Sequence, residues 1–257
     1  MGIDLSAHRV ERLVPDRAET TLAEQLAGYD PGALADAAAL TERPYLLTNF
    51  ATTIDGHGSI DGSSGAIGSD TDTAMLIGLR CTAEALMVGA GTLRAERYGR
   101  AIRDPHKRAL RQERGLPADP LTIVVSGRMQ LPWDIGLFSD GGGEVLIVTA
   151  SEDDPPETET PVRVLRHERE VDLAAALRHV RKELGIRSVL CEGGPSLHAD
   201  LLRIGAVDDL FLTFGAKLAG GEGPHITAGL EAGVIELELR WLLRSGSELF
   251  ARYGVAS

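Results

Sequence analysis

The stretch from Ser188 to Gly205 constrains the fold more than any other part of the chain. It begins with apolar residues typical of a strand and breaks at Glu192-Gly193-Gly194-Pro195. It then continues with the leucine spacing of a helix that ends at Gly205. A strand, a glycine turn and a helix start leave backbone N–H groups free at the positive end of a helix dipole, which favours phosphate. The sequence therefore predicts that this turn holds the phosphates of a nucleotide cofactor.

Strands and helices alternate from Pro44 onward, which predicts an α/β fold with a mainly parallel mixed sheet and helices on both faces. An antiparallel hairpin around Ser245-Gly246 is predicted to close the chain at one edge of the sheet. The predicted strands span residues 45–51, 84–88, 121–125, 145–149, 162–165, 188–191, 210–214, 235–243 and 248–253, and helices are predicted after the N-cap residues Ser69 and Asp172.

The sequence pattern of residues 1–43 differs from that of the rest of the chain. Two short helix candidates, 21–28 and 32–40, predict an N-terminal helical appendage that serves as a cap or dimer contact. No linker divides residues 44–257, which we expect to form a single domain.

Charge and cysteine content narrow the function classes. A net charge of −12 argues against nucleic-acid partners and anionic membranes, both of which need a basic face. Cys81 and Cys191 belong to no cysteine framework, so we expect free thiols in a reducing compartment. The N-terminal residues lack a signal-peptide core, and no apolar stretch approaches the roughly 18–20 residues of a membrane span. These features predict a cytoplasmic protein.

A second glycine turn, Gly89-Ala90-Gly91-Thr92, follows another buried strand. Ligands of parallel sheets bind at the carboxyl ends of strands, where both turns would open. The turn is not a Rossmann fingerprint, because Arg94 stands where the third glycine would be. Two such turns in one sheet favour a nucleotide site over two plain turns.

The segment from Arg94 to Arg114 contains eight basic and three acidic residues, a local charge of +5. Such a segment suits recognition of a small phosphorylated ligand, since guanidinium groups bind phosphate through two hydrogen bonds. A solvated loop and helix face is the alternative. Arg103 is a better candidate for binding the phosphate than the arginines from Arg108 to Arg114.

Two carboxylates, Asp55 and Glu192, lie beside glycines at predicted strand ends. Each is suited to binding a sugar hydroxyl or moving a proton, and equally to capping a turn. The seven histidines show no metal-ligand spacing, so no metal is predicted. Signatures of serine hydrolases and P-loop enzymes are absent from the sequence.

Four motifs in this order resemble the riboflavin-pathway pyrimidine reductases, over about residues 44–253. They are the runs Asn49 to Gly56, Leu79 to Thr92, Glu192 to Asp209 and Ala216 to Gly221. The resemblance implies a dihydrofolate-reductase-like fold, a homodimer and an NADPH-dependent reaction. In that reaction 5-amino-6-(5-phosphoribosylamino)uracil becomes the ribitylamino product, with hydride transferred to C1 of the ribose.

The resemblance also assigns site residues. The implied cofactor residues are Ala51, Gly89, Gly91, Thr92, Glu96, Gly193, Gly194, Pro195, Ser196 and Leu197. The implied substrate residues are Asn49, Ser64, Arg80, Arg103 and Glu192, with Asp55 at the mouth of the site as a proton relay or hydroxyl contact. We predict Asp55 and Glu192 as the catalytic carboxylates.

This chain departs from the family pattern after Thr92. Glu96 stands where the family usually has aspartate, and the following loop, which frames the substrate, is altered. The zinc deaminase domain of the bifunctional members has no counterpart in the sequence, so we expect a stand-alone reductase. Two alternatives remain, a dihydrofolate or pterin reductase of the same fold and a non-catalytic nucleotide-binding dimer.

Overall fold

A computed structural model describes residues 3–60, 62–221, 223–231 and 233–256. Its strands are β1 (Arg9–Val14), β2 (Ala18–Thr21), β3 (Tyr45–Thr53), β4 (Ala85–Gly89), β5 (Leu121–Val125), β6 (Glu144–Thr149), β7 (Val162–Arg166), β8 (Ser188–Cys191), β9 (Asp209–Gly215), β10 (Leu237–Ser245) and β11 (Glu248–Val255). Its helices are α1 (Leu22–Ala27), α2 (Pro31–Ala37), α3 (Asp70–Arg80), α4 (Ala90–Glu96), α5 (Pro105–Glu113), α6 (Gly136–Ser139), α7 (Leu173–Lys182) and α8 (Pro195–Arg203).

The strands form one sheet in the order β2-β1-β10-β11-β9-β3-β8-β4-β5-β6-β7. From β9 to β7 every neighbouring pair is parallel, whereas β11, β10, β1 and β2 are joined by antiparallel pairing. The mixed, mainly parallel sheet and its closing hairpin are confirmed. Because the central strands are parallel, their carboxyl ends meet along one edge of the sheet.

Helices cover both faces of the central strands, as predicted. Successive residues of a strand point to opposite faces. Leu47 packs in a cluster with α1 and α3, while its neighbour Leu46 packs in a cluster with α7 and α8. The strands are therefore buried on both sides, and polar groups from β3, β4 and β8 reach solvent mainly where the strands end.

The N-terminal segment differs from its prediction. Helices α1 and α2 are present, but residues 9–21 form β1 and β2, and β1 pairs with β10. The purely helical expectation for this segment is wrong. The signal was weak because these two outer strands bury few apolar side chains, here chiefly Val10, among polar neighbours. The domain boundary at residue 43 stays a prediction.

The glycine segment after β4 differs from the turn predicted for it. Helix α4 begins at Ala90 directly after β4, so Gly91 and Thr92 are helical rather than part of a turn.

Cys81 and Cys191 are buried free thiols, as predicted. Among the described residues, no helix has the length and apolar character needed to cross a membrane.

Candidate active site

The two glycine segments touch each other at the carboxyl edge of the sheet. Gly89 donates its backbone N–H to the carbonyl oxygen of Gly193 at 2.8 Å, and Glu192 donates its N–H to Met87 at 2.9 Å. Strands β4 and β8 are neighbours, so the ends of both open into one space. We call the paired segments 89–92 and 192–197 the glycine clasp.

Helix α8 begins at the clasp without a side-chain cap. Its N-cap is Gly194, and no side chain accepts a hydrogen bond from its first turn. By contrast, Ser69, Asp104 and Asp172 cap α3, α5 and α7 with their side chains. The first N–H groups of α8 are therefore left for an external acceptor, which suits the phosphates of a dinucleotide.

Close packing at the clasp requires glycine at two positions. A Cβ at Gly194 would lie 2.6 Å from Thr92 Oγ1. At Gly193, where φ is +98°, a Cβ would lie 3.2 Å from the ring of Phe50. The backbone of α8 approaches α4 closely for this reason, and both line the same cleft.

The cleft beside the clasp has a volume of about 1860 Å³. A pocket for one drug-sized ligand has roughly 300–1,000 Å³, so this cleft has room for two ligands side by side. Its walls include most residues assigned from the sequence, namely Asn49, Ala51, Ser64, Arg80, Gly89, Gly91, Thr92, Glu96, Arg103, Glu192, Gly194, Pro195, Ser196 and Leu197. Gly193 is not among the lining residues, and its carbonyl is bound by Gly89 instead.

Arg80, Glu192 and Tyr98 form a hydrogen-bonded cluster in the wall of the cleft. Arg80 donates from Nε and Nη2 to the two carboxylate oxygens of Glu192, each at 2.6 Å. Tyr98 donates its hydroxyl to Glu192 Oε2 at 2.9 Å. The Glu192 side chain is only 3% exposed, so this carboxylate is stabilised almost entirely by its two partners.

The ionisation of the cluster follows from these contacts. Burial alone would lower the pKa of Arg80, but the charge and hydrogen bonds of Glu192 raise it above its ordinary value. Burial, followed by the charge of Glu192, raises the pKa of Tyr98 well above its usual range. Arg80 is therefore a cation and Tyr98 a neutral hydrogen-bond donor at physiological pH.

Arg80 is occupied by these partners rather than free in the cleft. Its third nitrogen, Nη1, donates to the carbonyl of Ala101 at 3.0 Å. The substrate contact predicted for Arg80 stays a prediction, and in the structure its guanidinium binds Glu192. Tyr98 was missed in the sequence, where the only signal was a lone aromatic residue inside the basic segment 94–114.

Ser64 and Glu96 are brought together across the cleft. The hydroxyl of Ser64 donates to Glu96 Oε1 at 2.9 Å. The resemblance assigned the first residue to the substrate and the second to the cofactor, and both roles stay predictions.

Asp55 lies outside the cleft lining. Its carboxylate accepts hydrogen bonds from Thr53 Oγ1 at 2.6 Å and from the backbone N–H groups of Ala219 and Gly220 at 3.1 and 2.8 Å. These hydrogen bonds lower the pKa of Asp55 far below its ordinary value. Asp55 therefore connects the loop after β9 to the end of β3. Because Asp55 does not line the cleft, its predicted role as a proton relay gains no support.

Most basic side chains of the segment 94–114 are bound by other groups of the protein. Arg97 pairs with Asp134, and both Arg100 and Arg108 pair with Asp119. Arg111 and Arg114 donate to backbone carbonyls. Within the described parts of the chain, the basic residues of this segment that line the cleft without an acidic partner are Arg94, Arg103 and Lys107.

Comparison with known families identifies the chain. The family model described as the RibD C-terminal domain matches residues 44–250. The chain belongs to the RibD C-terminal domain family. This confirms the predicted family resemblance, and residues 3–43 lie outside the matched part.

Individual relatives agree with the family assignment. The chain is 29% identical over 193 residues to the 2,5-diamino-6-ribosylamino-4(3H)-pyrimidinone 5′-phosphate reductase of Archaeoglobus fulgidus, covering 73% of this chain and 87% of the relative. It is 31% identical over 206 residues to the riboflavin biosynthesis protein RibD of Mycobacterium tuberculosis, covering 78% of this chain and 50% of that protein.

Solved structures confirm the fold. A pyrimidine reductase-like protein from Corynebacterium diphtheriae superposes with a TM-score of 0.72 at 23% identity, covering 89% of this chain and 100% of that one. The Saccharomyces cerevisiae reductase Rib7 gives a TM-score of 0.64 at 20% identity, covering 91% and 99%. The predicted dihydrofolate-reductase-like fold of the pyrimidine reductases is therefore confirmed.

The family assignment settles the class of reaction. The chain is an oxidoreductase, a pyrimidine reductase of riboflavin biosynthesis, and a reductase of this family uses a nicotinamide cofactor. The glycine clasp fits such a cofactor because it offers free N–H groups at the start of α8 and open space beside Gly91.

Proposed function

We propose that this protein uses NADPH to reduce 5-amino-6-(5-phosphoribosylamino)uracil to its ribitylamino product. The observation that carries the proposal is the cleft beside the glycine clasp, where cations without an acidic partner among the described residues lie on two different sides. Arg94 and Arg128 lie on the side of β5, and Arg103 lies on the side of α5. A phosphorylated cofactor and a phosphorylated substrate, held side by side, would use both.

The two arginines on the side of β5 support NADPH rather than NADH as the cofactor. Arg94 lies in the last turn of α4 and donates to the carbonyl of Gln130 at 2.7 Å, which fixes it beside the loop after β5. Arg128 is an exposed residue of that loop. Two guanidinium groups near one position suit a doubly charged phosphate, so we assign them to the 2′-phosphate of the cofactor.

The residues on the side of α5 support a substrate that carries a ribose phosphate. Arg103 presents its guanidinium beside Gly99, and Ser64 contributes a hydroxyl from the facing loop. Glu192 keeps acceptor capacity beyond its bonds to Arg80 and Tyr98, because a carboxylate offers about four lone pairs. It would bind a ribose hydroxyl or a pyrimidine N–H.

The chemistry of the proposed reaction is a hydride transfer. When bound, the nicotinamide supplies hydride to C1 of the ring-opened imine, and the imine nitrogen gains a proton. The residues of the chain bind and align the two ligands, and Asn49 and Ala51 on β3 form the floor of the cleft between them. Rigid strands below the ligands keep the two carbons close and reduce access of water.

Turnover assays test this proposal. Purified protein is mixed with NADPH and each candidate substrate, and oxidation of the reduced nicotinamide is followed by its absorbance. We expect turnover of the phosphoribosylaminouracil. The substrate named for the Archaeoglobus relative, the 2,5-diamino-pyrimidinone, is assayed in parallel because it carries the same ribose phosphate.

Two results would contradict the proposal. Turnover of dihydrofolate without turnover of either ribosylaminopyrimidine would make the protein a pterin reductase of the same fold. NADPH binding without turnover of any of these compounds would make it a non-catalytic nucleotide-binding protein.

We also infer that two copies associate through β10. Val234, Ile235, Leu237 and Leu239 are all exposed, and Val234 is 84% exposed. Strand β1 pairs with β10 only at residues 242–244, so within the described residues the outer edge of β10 is unpaired from Leu237 to Trp241. An apolar strand with a free edge favours association, and a second copy supplies a matching one. Sedimentation of the wild type and of Leu237→Glu/Leu239→Glu tests this, with dimer expected only for the wild type.

A further inference from the structure

One cation of the cleft, Lys107, belongs to none of the motifs that identify the family. It lies in the first turn of α5 and lines the cleft, four residues after Arg103. Lys107 forms no ion pair with the part of the chain that the structure describes, whereas Arg108, the next residue, is bound to Asp119 at 2.8 Å. Its charge is therefore available to a ligand.

The carboxylates nearest in sequence and space are engaged elsewhere. Asp104 accepts a hydrogen bond from the backbone N–H of His106 at 2.9 Å as the N-cap of α5. Asp4 accepts from the N–H and hydroxyl of Ser6 at 2.9 and 2.7 Å. Neither neutralises Lys107 through a direct contact.

The surroundings of Lys107 favour a strong interaction with an anion. Lys107 is half-buried, and the lining of the cleft also includes the apolar side chains of Ile3, Leu76 and Ile77. Partial exclusion of water lowers the local dielectric constant, so a charge pair there is screened less than on an open surface.

The cluster of Arg80 leaves a shortage of positive charge at this end of the cleft. Because Arg80 is bound to Glu192 through two hydrogen bonds, its charge is balanced within the protein. A phosphate of nearly two negative charges would then meet Arg103 alone. Lys107, four residues further along the chain and also in the cleft lining, supplies a second positive charge.

We propose that Lys107 is a phosphate-binding residue that, together with Arg103, holds the 5-phosphate of the substrate. This proposal rests on the proposed function for the nature of the substrate. Lys107 binds as a point charge, and Arg103 supplies the directional hydrogen bonds of a guanidinium group. The pair sets a preference for phosphorylated over dephosphorylated ribosylaminopyrimidines.

The test compares Lys107→Gln with Lys107→Arg and with Lys182→Gln, a matched control. Lys182 is an exposed lysine of α7 that pairs with Glu42 and does not line the cleft. We expect Lys107→Gln to raise KM for the phosphorylated substrate about 10-fold, as for loss of a hydrogen bond to a charged group. KM for the dephosphorylated analogue, KM for NADPH and kcat should stay unchanged. Lys107→Arg should restore most of the affinity.

A binding measurement separates this proposal from the proposed function. Ribose 5-phosphate and ribose are titrated into each variant by calorimetry, with no turnover required. Weaker binding of ribose 5-phosphate, but not of ribose, by Lys107→Gln supports the assignment even if the wild type turns over no ribosylaminopyrimidine. Equal binding of ribose 5-phosphate by Lys107→Gln and Lys182→Gln, or an equal rise of KM for both forms of the substrate, would overturn it.

Discussion

The guanidinium of Arg80 and the carboxylate of Glu192 are joined by two hydrogen bonds of 2.6 Å, although 112 residues separate them in the chain. Both residues were assigned to the substrate from the sequence, and the structure shows that each is the main partner of the other. The pair fixes the orientation of the carboxylate that faces the cleft. In the proposed function, we therefore assign the substrate phosphate to other cations of the cleft.

We predict that Arg80→Met destabilises the protein by about 3–5 kcal/mol, because it leaves the Glu192 carboxylate buried without its cation. Urea denaturation measures the free energy of unfolding. The control is Arg97→Met, which breaks the exposed pair with Asp134 and should cost less than about 1 kcal/mol. The double variant Arg80→Met/Glu192→Gln should recover part of the loss. Equal losses for Arg80→Met and Arg97→Met would contradict this account.

The glycine clasp should not tolerate a methyl group at its centre. Gly194→Ala places a Cβ 2.6 Å from Thr92 Oγ1, so the start of α8 must move away from α4. We expect the affinity for NADPH to fall about 10-fold or more, since displaced N–H groups lose charge-assisted hydrogen bonds to phosphate. Fluorescence titration of NADPH measures the loss.

Removal of the clashing oxygen should reverse part of this effect. Thr92→Ala/Gly194→Ala is compared with Thr92→Ala alone, and the penalty for adding the methyl group should be smaller in that background. An unchanged penalty would mean that the contact with Thr92 does not cause the loss.

Cofactor choice should depend on Arg94 and Arg128. Replacement of either by glutamine should raise KM for NADPH about 10-fold and leave KM for NADH unchanged, because NADH lacks the 2′-phosphate. Arg163→Gln, which removes an exposed arginine on β7 outside the cleft, is the charge control. A parallel rise of KM for both cofactors would remove these arginines from the 2′-phosphate site.

The anchoring role of Asp55 predicts a specific pH dependence. Its folded-state pKa lies below the unfolded value of about 3.9, so Asp55 contributes stability above that pH and loses it as the pH falls toward the folded-state value. Asp55→Asn should therefore melt at a lower temperature than the wild type near neutral pH. The difference should shrink below about pH 4.

The same variant separates anchoring from catalysis. We expect kcat of Asp55→Asn to remain close to the wild-type value at a temperature where both proteins are folded. A loss of kcat of about 100-fold or more, as expected for removal of a general acid or base, would reinstate the proton relay predicted from the sequence.

The central strands and the clasp could be predicted because their signals are local. Runs such as Ala85–Gly89 and Ser188–Cys191 are mainly apolar and lead into glycine turns, and this pattern depends on no distant residue. Strands β1 and β2 lack such runs. Strand β2 lies at the edge of the sheet, and β1 pairs with β10 through residues more than 200 positions away in sequence.

Side-chain partners within the site could not be predicted. Arg80, Tyr98 and Glu192 come from the end of α3, the loop after α4 and the end of β8, and only the assembled sheet brings them together. Likewise, the basic segment 94–114 gives a net charge but not which cations Asp119 and Asp134 neutralise. These ion pairs involve other arginines, and they leave Arg103 and Lys107 available to a ligand.

Ile3 lines the cleft although the family match begins at residue 44, and Leu5 beside it is buried in the same cluster as α3. A ligand held between Ile3 and Lys107 would stabilise the docked form of the N-terminal segment in addition to the cleft itself. Amide hydrogens of β1 should then exchange more slowly with solvent when substrate is bound, even though β1 itself contributes no residue to the cleft. A protein trimmed to the matched residues would lose that coupling together with the contribution of Ile3 to the cleft lining.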